Sequence, residues 1–150
     1  MSSTLTNLLY HVVFSTKNRE PTITSPIRAD LYRYIGGIVR CEEGMLLEIG
    51  GTPDHVHLLL RLKARHAPAT IVKTIKSKAS KWLNANPKRP GRFEWQRGYA
   101  AFTVSVSQLE RVRAYVCNQA EHHRRQTFQE ELRAMLDRHG IEYDERYLWD

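Results

Sequence analysis

The hydrophobic pattern changes period several times along the chain, and each change marks an element. LTNLLYHVVFS, residues 5–15, mixes Leu, Tyr, Val and Phe and predicts a strand. TKNREPTITSP then connects, with two prolines. Ser25 with Pro26 behind it signals a helix start. Leu31, Tyr34, Ile35 and Ile38 give that helix, roughly Pro26 to Arg40, its apolar stripe despite the Gly36–Gly37 pair. Met45 to Ile49 predicts a second strand, Gly50 to Pro53 a turn, and Asp54 to Leu62 a third strand. The short connection makes the last two strands an antiparallel hairpin.

A second helix runs from Pro68 to a point before Pro87. Ile71, Ile75, Ala79 and Trp82 mark its buried side, and Lys73, Lys76, Lys78 and Lys81 spread over the rest. KRPGR follows as a basic, broken loop. WQRGYAAFTV, residues 95–104, reads as a fourth strand with imperfect alternation. The order β-α-β-β-α-β predicts an α+β fold: a ferredoxin-like antiparallel sheet with the crossover helices on one face.

Additional C-terminal helices begin near residue 107. Ser107 with Glu110, and Thr127 with Glu130, have capping-box spacing. Leu109, Val112, Val116 and Ala120 supply the packing stripe of the first. Leu132, Met135 and Leu136 belong to the second, which Gly140 stops. The tail IEYDERYLWD is aromatic and is expected to dock, on this chain or on a second subunit.

Length and composition fit one domain over residues 1–150 with a real core. No apolar run reaches membrane-spanning length, and the first residues lack the basic start of a signal peptide. Cys41 and Cys117 form no CxxC, so a reducing, cytoplasmic setting is the expectation. The net charge of +7 is unevenly distributed. Residues 1–60 hold five Lys/Arg and six Asp/Glu, residues 61–97 eleven and one, and residues 98–150 seven and nine. A positive excess confined to the middle third is either a solvated face or a polyanion surface, most simply for nucleic acid.

Candidate chemistry lies in two places. His55 and His57, in GTPDHVHLLL, are two apart on a strand and point to one face. There they are either metal ligands or polar residues on a half-solvated sheet. In RVRAYVCNQAEHH, Tyr115 and Gln119 are four apart on one helical face, with His122 on roughly the same side. Taken alone, Tyr115 reads as a structural residue and Gln119 as an ordinary surface amide, ahead of any catalytic role.

The chain resembles the IS200/IS605-like single-tyrosine transposases of the HUH nuclease group, nearly end to end. The resemblance is carried by YHVVFSTKNRE, GTPDHVHLLL, AYVCNQAEHHRRQTF and HGIEYDERYLWD. It implies His55 and His57 as metal ligands, Gln119 as a third, and Tyr115 as the nucleophile. It also implies Mg²⁺ or Mn²⁺, a single-stranded DNA substrate with a hairpin, and a homodimer with composite active sites. The implied reaction is attack of Tyr115 on phosphorus, giving a 5′-phosphotyrosyl intermediate and a free 3′-hydroxyl. Two rivals share the sequence features: a non-catalytic nucleic-acid hairpin-binding protein, and a domesticated nuclease acting on host repeats.

Around this core, Asp54 either orients an imidazole or begins the strand. His122 or His123 either assists or touches DNA, or is simply a surface residue. No cysteine pair completes a closed zinc site. His11 reads as sheet surface, and His66 and His139 as peripheral. Lys73, Lys76, Lys78, Lys81, Lys88, Arg89, Arg92 and Arg97 are the candidate nucleic-acid contacts, which give placement but little sequence choice. Tyr99 is either a further contact or sheet packing.

Overall fold

A computed structural model describes residues 3–87, 89 and 91–150. In chain order the elements are β1 (Leu8–Ser15), α1 (Ser25–Cys41), β2 (Met45–Thr52), β3 (His55–Leu62), α2 (Pro68–Asn84), β4 (Ala100–Val104), α3 (Leu109–Cys117), α4 (Gln119–His122) and α5 (Phe128–Arg138). Single 3-10 turns occur at Lys17–Arg19 and Val106–Gln108. The strands form one antiparallel sheet in the order β2-β3-β1-β4. This is the ferredoxin-like β-α-β-β-α-β arrangement that the sequence predicts, with helices added at the C-terminal end.

Strand alternation decides what each face of the sheet meets. Val12 and Phe14 of β1 and Val56, Leu58, Leu60 and Leu62 of β3 point to one side. There they bury Leu31 and Ile35 of α1 and Ile71, Ile75 and Ala79 of α2. Each fully buried Leu or Ile contributes roughly 1.5–3 kcal/mol, so this layer carries most of the stability. On the other side, Val13 and Phe102 pack under Phe128, Leu132, Met135 and Leu136 of α5. Tyr143, Leu148 and Trp149 close the edge of that second cluster. The aromatic tail therefore docks on its own chain, and Trp149 is flanked by the guanidinium groups of Arg19 and Arg133 at 5.4 and 5.2 Å.

Several boundaries differ from the sequence reading, each for a physical reason. Thr24, not Ser25, is the cap residue of α1, and its side chain makes no capping bond. Gly50, Gly51 and Thr52 continue β2, so only Pro53 and Asp54 turn the hairpin. On α2, Leu83 is buried, while Trp82 is half-buried and stacks on Tyr34 at 5.0 Å. Trp95 keeps one bridge to Thr16, but β4 begins only at Ala100. The intervening backbone has other partners: Lys76 Nζ donates to the carbonyls of Gln96, Arg97 and Gly98 at 2.6, 3.2 and 2.8 Å. The Arg97 and Gly98 amides donate to the Asp150 carbonyl. Ser107 does not cap α3; Ser105 accepts from the Ser107 amide and starts the 3-10 turn instead. Thr127 does cap α5, accepting from the Glu130 amide at 3.2 Å. Gly140, at a φ of 66°, ends it.

β2 seats α3 by close backbone approach. The register slips between Leu46 and Glu48, and the Leu47 carbonyl accepts from Arg113 Nη1 at 2.9 Å. At Gly50, an added Cβ would lie 1.9 Å from the Val116 carbonyl oxygen. Only glycine fits there. Gly50→Ala is expected to lose about 2–4 kcal/mol, in the range of strain and overpacking defects. The variant must lift α3, and Tyr115 with it. Urea unfolding checks this, and an unchanged midpoint would show that α3 does not depend on this contact.

Candidate active site

His55 and His57 alternate with Val56, so they leave the α1/α2 layer and point toward α3, α4 and α5. That face is closed, not half-solvated: His55, His57, Gln119 and Glu131 are at most 1% exposed. Helix α3 ends at Cys117 because Asn118, at φ −103° and ψ 29°, breaks the helical run that the sequence suggests. The Asn118 amide is shared between the Ala114 and Tyr115 carbonyls. The break turns Gln119 inward while Ala120 becomes exposed. Gln119 Nε2 donates to the Tyr115 carbonyl at 3.2 Å. Its Oε1 accepts from His55 Nε2 at 3.2 Å and His123 Nε2 at 3.1 Å.

Glu131 of α5 stands at the centre. Its Oε1 accepts from His57 Nε2 and His123 Nε2, both at 3.1 Å, and lies 3.5 Å from His55 Nε2. Its Oε2 accepts a hydrogen bond from the Tyr115 hydroxyl. His122 Nε2 lies 3.3 Å from that same hydroxyl. Behind the cluster, His55 Nδ1 donates to Asp54 Oδ1 at 2.7 Å, and Thr52 Oγ1 donates to the same oxygen. His57 Nδ1 accepts from His11 Nε2 at 2.8 Å. Asp54 thus fixes one imidazole from behind and His11 the other, as outer partners of metal-binding histidines commonly do.

Burial pushes His11 down to about 3 and His57 down to about 4, so both are neutral at pH 7. Burial also opposes charge on His55, but bonds to Asp54 and Glu131 outweigh it and raise the imidazole to about 9. Burial opposes ionisation of Glu131 as well; hydrogen bonds from His123, His55 and His57 prevail and hold it far below the usual carboxylate range. Burial, then the Glu131 carboxylate, push the Tyr115 phenol well above its ordinary value.

These shifts set a pH dependence. Between pH 6.5 and 4 the unfolded chain protonates His11 and His57 and the folded chain does not, so stability falls as pH falls. His55, already charged in the fold, loses nothing over that window. Each unit of depression is worth about 1.4 kcal/mol, so the metal-free protein is expected to lose more than about 3 kcal/mol from pH 6.5 to 4. Urea midpoints across the window check it, and a flat profile would mean that both imidazoles accept protons in place.

The structure thus brings His55, His57, Gln119, Tyr115, Asp54 and His122 into one cluster. It adds Glu131 and His123 as ligand atoms, and the donors of His55, His57, His123 and Glu131 lie within 4.8 Å of one another. Three imidazole nitrogens and a carboxylate oxygen, with the Gln119 carbonyl beside them, fit a divalent cation. Glu131 was absent from the sequence reading, although a signal existed. It sits three residues after Phe128 and four before Met135, inside the apolar stripe of α5, where a lone carboxylate needs a buried partner. His11 is buried rather than sheet surface, and His139 is not peripheral but stacks on Phe102 at 4.2 Å near Tyr115. His66 lies elsewhere, bonded to Glu42. Cys117 is exposed.

The basic residues take a different place. Lys73, Lys78 and Lys81 are exposed on α2, across the sheet from the histidines. Lys76 is held by three carbonyls, and burial lowers it to about 8, so it is a structural clamp. Arg89 lies over the Phe93 ring, Arg92 lies 3.8 Å from Glu94, and Arg97 is exposed. Lys88 lies outside the described residues. Tyr99 is 40% exposed and so is not sheet packing. Among the described residues, no helix is long and apolar enough to cross a membrane.

Residues 4–119 match the family described as "Transposase IS200 like". Among solved structures, the chain is 27% identical to a candidate transposase from Deinococcus radiodurans R1, with a TM-score of 0.64 over 79% of this chain and 95% of that one. A REP-associated tyrosine transposase bound to a REP hairpin shares the fold, with a TM-score of 0.58 and 13% identity over 77% of this chain and 70% of that one. No curated protein matches the sequence at a significant level.

Proposed function

Because this chain belongs to the IS200-like transposase family, within the HUH nuclease superfamily, we propose that it cleaves and rejoins single-stranded DNA at hairpin-bearing element ends through a 5′-phosphotyrosyl intermediate on Tyr115. One observation carries the reading: the Tyr115 hydroxyl and the imidazole cluster share a single buried carboxylate, Glu131. Nucleophile and ion site are thereby held side by side.

On this reading His55, His57 and Gln119 hold a divalent cation, joined by Glu131 and His123. A bound Mg²⁺ or Mn²⁺ would polarise the scissile phosphate and offset its developing charge. A donor set rich in imidazole suits Mn²⁺ better than Mg²⁺. Tyr115 Oη forms a bond to phosphorus as the P–O3′ bond breaks. Glu131 Oε2, its hydrogen-bond acceptor, orients the phenol, whose proton is lost to water, and the leaving 3′-oxygen takes a proton from water. The phosphodiester energy stays in the tyrosyl ester, so the reverse attack by a 3′-hydroxyl rejoins the strand without ATP.

The family resemblance implies a homodimer with composite sites. Here Tyr115, Gln119, the histidines and Glu131 meet within one chain, which supports a site assembled in cis; a dimer would then pair two such sites. Residues 1–150 act as one unit on this reading, in the cytoplasm. The hairpin held by the REP-bound relative supports a hairpin substrate, with Lys73, Lys78 and Lys81 free for its backbone.

The test incubates the protein with end-labelled single-stranded DNA from both flanks of its gene and Mn²⁺ or Mg²⁺, then separates products under denaturing conditions. A metal-dependent adduct whose peptide mass maps to Tyr115 is expected. Tight binding with no adduct in either metal would replace this reading by that of a hairpin-binding protein.

A further inference from the structure

A cleft of about 550 Å³ opens beside Tyr115, between β4, the Val106–Gln108 turn, α3 and the end of α5. Tyr115 and His11 line it, whereas His55, His57 and Glu131 do not. It therefore meets the nucleophile from a side other than the ion cluster. The volume falls in the range of about 300–1,000 Å³ typical of small-ligand sites. That admits a nucleotide or two of a single strand, but not a duplex.

The chemistry of the walls selects the occupant. Val112 and Met135 are apolar, and the stacked Phe102–His139 pair offers an aromatic platform at 4.2 Å. Arg111 and Arg138 stand at the rim, and no carboxylate lines the cleft. Among the described residues neither guanidinium has an acidic partner. Arg111 precedes Tyr115 by one helical turn and projects from the same face of α3. The charge of Arg138 is felt at the Tyr115 phenol. By contrast, the opening on the α4 side mixes the carboxylates of Glu121 and Glu130 with Arg125 and His122. An anionic strand meets cations without carboxylates at the first mouth and mixed charge at the second.

We infer that this cleft seats an unstacked nucleotide of single-stranded DNA next to the scissile phosphate, with Arg111 and Arg138 on its phosphates and the Phe102–His139 pair beneath its base. The inference rests on Tyr115 as the nucleophile and adds where the strand lies. It is independent of the lysines of α2, which occupy the opposite face of the sheet.

Fluorescence anisotropy with fluorescein-labelled dT12, across a salt series and without added metal, tests the cleft by itself. Arg111→Gln/Arg138→Gln changes two exposed side chains. It is expected to weaken dT12 binding at least tenfold and to flatten the log–log salt slope by about 1.4, or about 0.7 per lost single-strand phosphate contact. Gln108→Trp fills the mouth from the exposed end of the Val106–Gln108 turn and is expected to weaken binding at least fivefold. Arg33→Gln/Arg40→Gln on the exposed side of α1, across the sheet, removes the same charge and should stay within twofold. Binding within twofold of wild type in both cleft variants, with unchanged melting, would overturn the proposal. So would a wild-type protein that does not bind dT12. A Tyr115 adduct that forms while the arginine pair proves irrelevant would remove the cleft alone. Arginine-dependent dT12 binding without any adduct would keep the strand path and remove the catalytic reading.

Discussion

Tyr115→Phe is expected to form no covalent adduct with single-stranded DNA, a loss of at least about 10³-fold, while binding the same DNA within about threefold of wild type. The ring stays, so its edge-on contacts with His57 and His11, at centroid distances of 5.8 and 6.0 Å, are kept. Only the hydroxyl is lost, and with it the atom proposed to form the phosphorus bond. The substitution also removes a donor from Glu131. A buried charged acceptor that loses one hydrogen bond costs about 1.5–3 kcal/mol, so the variant should melt lower but remain folded. Peptide mapping of any residual adduct decides the matter. An adduct that persists in Tyr115→Phe at wild-type yield would move the nucleophile elsewhere. Loss of DNA binding in parallel with the adduct would make Tyr115 a binding residue. Nucleophilic residues act as part of a unit, so this effect measures the whole site rather than the hydroxyl by itself.

The metal-free geometry also keeps the Tyr115 phenol protonated. Glu131 ionises readily and the Tyr115 phenol does so with difficulty, so the proton stays on oxygen. Hydrogen bonds from His123, His55 and His57 hold the Glu131 carboxyl down against its burial, and burial, then the Glu131 carboxylate, hold the phenol up.

Most of the fold is legible in the sequence because its faces are sorted by short-range period. Val56 to Leu62 alternate, and Leu31, Ile35 and Ile38 repeat at helical spacing, so β3 and α1 follow from local pattern. His55 and His57 are legible for the same reason. What the sequence hides depends on distant partners. The start of β4 is lost because Lys76 and the Asp150 carbonyl take its backbone groups, and neither lies near it in sequence. The break at Asn118 leaves no mark, since the apolar repeat continues through it. Lys76 looks like its exposed neighbours until the loop at 96–98 closes over it. Glu131 follows a capping box, which invites a reading as first-turn surface acid although its place in the apolar stripe of α5 marks it; what it is buried against appears only when α5 docks on the face that carries His57.

Glu131→Gln is the sharpest test of that docking. Gln keeps the shape and can still accept from an imidazole, but it removes the negative charge. In the metal-free protein His55 then loses a partner that holds it near 9, and its pKa should fall toward the ordinary value of about 6.5. Removing one member of a buried ion pair typically costs about 3–5 kcal/mol, and the retained amide offsets part of it. A loss of about 2–4 kcal/mol at pH 7 is expected. The raised His55 contributes stability that is full below about pH 6.5 and is lost as pH rises through about 9. The gap between wild type and variant should therefore narrow on the alkaline side. Mn²⁺ affinity, read by electron paramagnetic resonance, is expected to drop at least tenfold, because an anionic ligand is gone while the imidazoles remain. His57→Ala provides the reference for loss of a ligand. If Glu131→Gln is destabilised yet binds Mn²⁺ as well as wild type, Glu131 is a counter-charge for the histidines and not a ligand. If its stability matches wild type and does not respond to pH near 9, the pairing of His55 with Glu131 does not stabilise the fold.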